Sequence, residues 1–163
     1  MYEGLFLQSV VAFELLIEEM FLGLVTGRIA HPRPVKPLVI FPSVAAAKKI
    51  VTRDRYVDWL PYDNLKRNSE VYFVVGKNPF SDCPGHHSRE INKAYIIRNY
   101  IAHKSDHSRR VFEREVVSPT LLPPGQRDLL GYFRFMHSST VNKFQYHVGE
   151  LVNAARWFAG ITP

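Results

Sequence analysis

The sequence predicts an all-α domain, an up-and-down bundle of four to five main helices with a proline-rich connector after the first. Three observations carry that prediction. Apolar residues recur at three-and-four spacing through long stretches near 3–26, 88–103 and 140–158, the pattern of helix faces that pack on a core. Prolines fall between those stretches and never inside them, as chain breakers should. A length of 163 residues with 46% hydrophobic composition supplies one core, so residues 1–163 are read as a single domain.

The first helix, from Glu3 to Thr26, places Phe6, Val10, Phe13, Ile17, Met20, Phe21 and Leu24 on one face, and Gly27 is a reasonable stop. Pro32, Pro34, Pro37 and Pro42 make 28–42 a stiff connector, with a short extended piece expected at 38–41. Ser43 is the expected N-cap of a helix running to Leu60, where Pro61 ends it, and Asp63 is expected to cap another through about Val74, with Gly76 as terminator. Residues 77–87 read as a turn-rich loop. Ser88 is the expected cap of a helix that runs to about His103 or slightly beyond. A helical pattern persists over 105–117, the prolines of 118–125 make a loop, and a last helix covers about 140–158. No internal repeat or low-complexity segment is present.

Twenty-one basic against fifteen acidic residues give a formal charge of +6, which makes polyanions plausible partners. The single cysteine, Cys83, cannot form an internal disulfide, so a reducing, cytoplasmic setting is expected. The apolar N-terminus has no basic leader, and Glu14, Glu18 and Glu19 would be costly in a bilayer. Neither a signal peptide nor a membrane span is expected there.

Chemistry concentrates at 98–107. Arg98 and His103 are five positions apart, about 140° around a helix and about 7.5 Å along it, so they flank a broad face, while Asn99 stacks one turn before His103. Such a set suits metal-free cleavage of RNA. Histidine can take the 2′-hydroxyl proton or protonate the departing 5′-oxygen, the arginine offsets charge on the phosphoryl oxygens, and the asparagine bonds a phosphate oxygen or fixes the imidazole. One histidine cannot easily be acid and base in one turnover; a two-fold dimer of this face supplies two. Lys104, Arg109 and Arg110 are the cations placed to meet RNA phosphates, and Tyr95 and Tyr100 are candidates to stack a base or to pack in the core.

The spacing alone has little weight, because thirteen arginines and seven histidines produce it readily by chance. His103 can instead serve the last carbonyls of its helix, with Arg98 a solvated face residue. A zinc site built from Cys83, His86, His103 and His107 is a further alternative, provided that one helix carries both of the last two. Outside such a site, His86 and His87 are expected exposed in a turn, or lining the cleft as accessory contacts.

The string IIRNYIAHKSD, followed by Phe112, resembles the signature helix of the HEPN superfamily (higher eukaryotes and prokaryotes nucleotide-binding domains), whose motif is an Arg, a polar residue, three more positions and a His. VVAFELLIEEMF is similar to the aromatic-acidic opening of these domains, and WLPYDNLKR and KNPFSD resemble the RiboL-PSP-like branch. The resemblance implies a helical domain that dimerises through its motif face and often acts as a metal-independent endoribonuclease in toxin–antitoxin or anti-phage systems. It makes Arg98 and His103 the catalytic pair, Asn99 the supporting polar residue, and Glu14 the helix-one acid that braces the arginine. No cofactor is implied, and an antitoxin or inhibitory partner is. Ser105 stands where the branch paired with nucleotidyltransferase antitoxins carries a Tyr, so that partner is not expected. Some HEPN domains are non-catalytic binding modules, the alternative function.

Overall fold

The computed structural model describes residues 1–52, 57–120 and 122–161. Among them it is all-helical, with seven α-helices where four to five main ones are expected: α1 (Tyr2–Val25), α2 (Val44–Thr52), α3 (Tyr62–Tyr72), α4 (Gly85–His103), α5 (Asp106–Phe112), α6 (Leu129–Arg134) and α7 (Lys143–Ala159). Strand-type pairing among the described residues is limited to isolated β-bridges, Pro37 to Phe73 and Met136 to Asn142.

The three long helices make the core. Every position of the stripe predicted on α1, from Phe6 to Leu24, is buried. Phe6 meets Phe144 and Phe13 meets Phe158, so α1 and α7 run parallel. Glu90 meets His147 and His86 meets Glu150, so α4 runs antiparallel to α7. Gly27 ends α1 in the left-handed conformation, φ 69°, as glycine permits without a Cβ clash.

Several boundaries differ from the sequence reading, each for a tertiary reason. Ser43 does cap α2, its Oγ accepting from the Ala46 amide at 3.1 Å. The helix does not reach Leu60, however: residues 57–60 are non-helical and 53–56 lie outside the described residues. Leaving the helix lets Trp59 and Leu60 bury, with Trp59 packed 5.0 Å from Phe21 and donating to Glu18 at 3.3 Å.

Helix α3 starts at Tyr62 without an Asp63 cap, because Asn92 Oδ1 on α4 accepts from the Tyr62 amide at 2.8 Å. It stops at Tyr72 because the next residues pair with the connector: Leu38 donates to the Tyr72 carbonyl at 2.8 Å and Val74 to the Lys36 carbonyl at 2.9 Å. The extended piece of the connector is therefore centred on Pro37, ahead of the expected 38–41, and Leu38, Val39 and Ile40 are exposed.

Helix α4 opens at Gly85 behind Pro84, and Ser88, expected as its cap, bonds back to the Gly85 carbonyl. Its end is as expected. Lys104 adopts the left-handed conformation, φ 46°, and Ser105 at once caps α5 through a reciprocal pair with Ser108. The helical pattern over 105–117 divides into α5 and one π-helical turn, Glu113–Val117. The expected loop at 118–125 holds two short 3-10 turns, at Ser118–Thr120 and Pro124–Gln126. Helix α6 was not anticipated by periodicity; Asp128 caps it by accepting from the Gly131 amide at 2.6 Å. Asn142 and Gln145 form a capping box for α7, three residues into the stretch expected from 140.

Four polar side chains meet where α4, α6 and α7 pack. Glu90 takes Lys93 Nζ at 2.8 Å and faces His147 Nδ1 at 3.5 Å, and His147 Nε2 lies 2.7 Å from the Tyr132 hydroxyl. Glu90 and His147 are 5% and 2% exposed, so this network is part of the core.

Candidate active site

The C-terminal half of α4 places the predicted residues. Buried Ile91, Ala94, Ile97 and Ile101 turn one face to the core, which leaves Tyr95, Ile96, Asn99, Ala102 and His103 on the opposite side, partly or fully exposed. Arg98 sits at the margin next to α1. Its Nη2 lies 3.7 Å from Glu14 Oε1, its Nη1 donates to Asn99 Oδ1 at 2.9 Å, and its guanidinium carbon stands 5.9 Å from the Tyr95 ring centroid. Glu14 is 5% exposed. A carboxylate so far from water needs a cationic partner, and the pairing fixes the guanidinium at the edge of the exposed strip.

His103 closes α4 as an exposed residue. Its side chain makes no hydrogen bond or ion pair among the described residues, so it does not serve the last carbonyls of its helix; the Lys104 amide reaches the Tyr100 carbonyl instead. The structure thus brings Arg98, Asn99 and Glu14 together. It leaves His103 one turn beyond Asn99, on the other margin of the strip from Arg98.

Lys104 pairs with Glu3 at 3.2 Å and Arg109 with Asp106 at 3.1 Å, all exposed enough to exchange partners, and Arg110 is exposed. Lys104 and Arg109 line a cleft of about 240 Å³ with Tyr100, Ser105 and Leu129, just past the end of α4. Tyr100 stacks on Phe112 at 4.8 Å, and both tyrosines are half-buried against the core.

The four-residue zinc set is not assembled. The left-handed turn at Lys104 puts His107 on α5 and not on the helix of His103, and His86 stands 17 residues before His103 on α4, about 25 Å along its axis. Burial pushes the Cys83 thiol up to about 12, so it is a protonated, inert side chain. His86 and His87 belong to the first turn of α4 and not to the preceding loop. Sequence reasoning overlooked Glu150, which contacts both, and His147. Their partners lie on other helices, and no local pattern marks them.

Among the described residues no helix is long and apolar enough to cross a membrane. No family model, no curated protein and no solved structure matches this chain.

Proposed function

We propose that this chain is a metal-independent endoribonuclease of the HEPN type that works as a cytoplasmic homodimer, a toxin or anti-phage effector held in check by an inhibitory partner. The observation that carries the reading is the contrast on one helix strip. Arg98 is fixed by Glu14 and Asn99, while His103, on the same strip, is exposed and has no side-chain partner among the described residues.

In this reading one His103 takes the 2′-hydroxyl proton, the 2′-oxygen attacks phosphorus, and the P–O5′ bond breaks. The His103 of a second copy protonates the departing 5′-oxygen. Arg98 meets the charge that grows on the non-bridging oxygens, in a fork geometry suited to them. Asn99 holds the guanidinium in place. Lys104 and Arg109 give up exposed carboxylate pairs for RNA phosphates at small cost, since such pairs contribute only about 0–1 kcal/mol.

Support for a second copy comes from α1, where Leu5, Val11, Leu15 and Leu16 are exposed. Val11 and Leu15 lie one turn before and directly after Glu14, so the apolar strip borders the Arg98 margin. A two-fold contact there buries that strip and brings two motif faces together.

The Glu14–Arg98 pair, with its carboxylate buried and its guanidinium at the surface margin, also suits a silent module that binds RNA without cutting it, and one assay separates the two. The purified protein incubated with single-stranded RNA in excess EDTA is expected to yield fragments with 2′,3′-cyclic phosphate and 5′-hydroxyl ends. RNA that is bound but recovered intact would favour the silent module.

A further inference from the structure

The turn that opens α4 faces the middle of α7, and there two imidazoles and a carboxylate converge. His86 Nε2 lies 2.6 Å from Glu150 Oε2 and His87 Nδ1 lies 3.9 Å from the same oxygen; the three ligand atoms all fall within 4.8 Å of one another. His87 Nδ1 is buried and has no hydrogen-bond partner among the described residues, an arrangement that is rare without a further ligand. The second Glu150 oxygen accepts from Asn153 Nδ2 at 3.2 Å, which orients the carboxylate. The Trp157 ring stands 6.4 Å from the His87 ring. Arg33 holds that indole, with its guanidinium carbon 4.2 Å from the ring and Nη2 on the Trp157 carbonyl.

We propose that His86, His87 and Glu150 bind a divalent transition-metal ion, with zinc the best fit. Two imidazoles and one carboxylate suit zinc, and three protein ligands leave the fourth tetrahedral position to water. Bonds of about 2.0–2.2 Å put tetrahedral ligand atoms about 3.3 Å apart. The spacing in the structure, 2.6 Å at its shortest and no more than 4.8 Å, brackets that value, so no pair of ligand atoms departs from it by more than about 1.5 Å.

The dipole of α4 opposes a cation at this end. The Glu150 charge counters it, and the Asn153 hydrogen bond to the other carboxylate oxygen is the outer-shell contact that ligating carboxylates use. The ion would clamp α4 to α7. It would stand about 25 Å along α4 from His103, so the site is independent of the RNA chemistry proposed above, and chelation there leaves that chemistry untouched.

The test is a calorimetric titration of the EDTA-dialysed protein with zinc chloride, with cobalt chloride as a spectroscopic probe. One equivalent of zinc per chain is expected, with Kd below about 10 µM, a melting temperature that rises with free zinc, and the visible bands of tetrahedral cobalt. His86→Ala, at a half-exposed position, and Glu150→Gln are each expected to weaken zinc by at least about tenfold, while His107→Ala binds as the parent does. Circular dichroism of the metal-free variants checks that each is folded. No stoichiometric uptake, or a folded His86→Ala protein that binds zinc like the parent, would overturn the assignment.

Discussion

Replacing His103 with alanine is expected to lower chelator-insensitive RNA cleavage by about 10²–10⁴-fold, the range a general acid–base group contributes. In a dimer whose two imidazoles act in one turnover, the change removes both proton-transfer groups at once. The substitution also tests chemistry cleanly. His103 is exposed and makes no side-chain hydrogen bond among the described residues, and surface changes of that kind shift stability by no more than about 0.5 kcal/mol. The melting temperature should stay near that of the parent. Arg98→Ala is a poorer probe, because it takes a cation away from Glu14, which is 5% exposed, and stability then falls together with rate. Gel assays of cleavage, paired with thermal melts, separate the two effects. Equal cleavage by the parent and a folded His103→Ala protein would remove the histidine from the reaction.

The second large effect concerns the core. Glu90→Ala is expected to cost about 1–3 kcal/mol, the usual result of leaving a buried polar group without its partner, because buried His147 faces that carboxylate while Lys93 is exposed enough to turn to water. The same network makes the fold acid-sensitive. Burial pushes the Glu90 carboxyl up, but the His147 ring and the Lys93 ammonium outweigh this and hold it down to about 2. Burial holds His147 below its ordinary value, and burial pushes the Tyr132 hydroxyl up, so the phenol stays protonated beside His147 Nε2.

Both depressed groups bind protons less readily in the folded chain than in the unfolded one. Stability is therefore full above the ordinary histidine value near 6.5 and begins to fall below it. It falls again below about 4.5 as Glu90 is titrated towards 2, a loss on the order of 2–3 kcal/mol from that group. Denaturant melts between pH 8 and pH 3 measure this. Glu90→Gln should flatten the acid limb below pH 4.5 and lower stability at pH 7. A parent protein equally stable at pH 7 and pH 3.5 would contradict the linkage.

What could be read from the sequence was what local pattern encodes. The stripe on α1 was legible because seven apolar residues at three-and-four spacing leave one way to turn the helix. The end of α4 was legible because its apolar periodicity, from Ile91 to Ala102, runs out at His103; the Ser105 cap that follows it was not read. The start of α3 was not, since its first amide is satisfied by Asn92, thirty positions on. Nor was the early stop of that helix, which pairing with the connector imposes from outside. Helix α6 did carry a local mark, Asp128 before LLGYFR, too short for periodicity to register. At the site, Arg98, Asn99 and His103 were legible as a spaced set, and Glu14 through the resemblance. The Glu90–His147–Tyr132 network and the His86–His87–Glu150 cluster join residues far apart in the chain, and only the packing of α4 on α7 makes either of them.

The central claim, that two copies of His103 serve one reaction, meets its most direct test in a mixed dimer. One parent subunit and one His103→Ala subunit, carrying different affinity tags, are purified together and assayed on single-stranded RNA with EDTA present. A shared cleft predicts cleavage far below half the parental rate, by about 10²-fold or more, because one of the two proton-transfer groups is missing from the only cleft. Half the parental rate would mean that each subunit cuts on its own, and the composite site would be wrong.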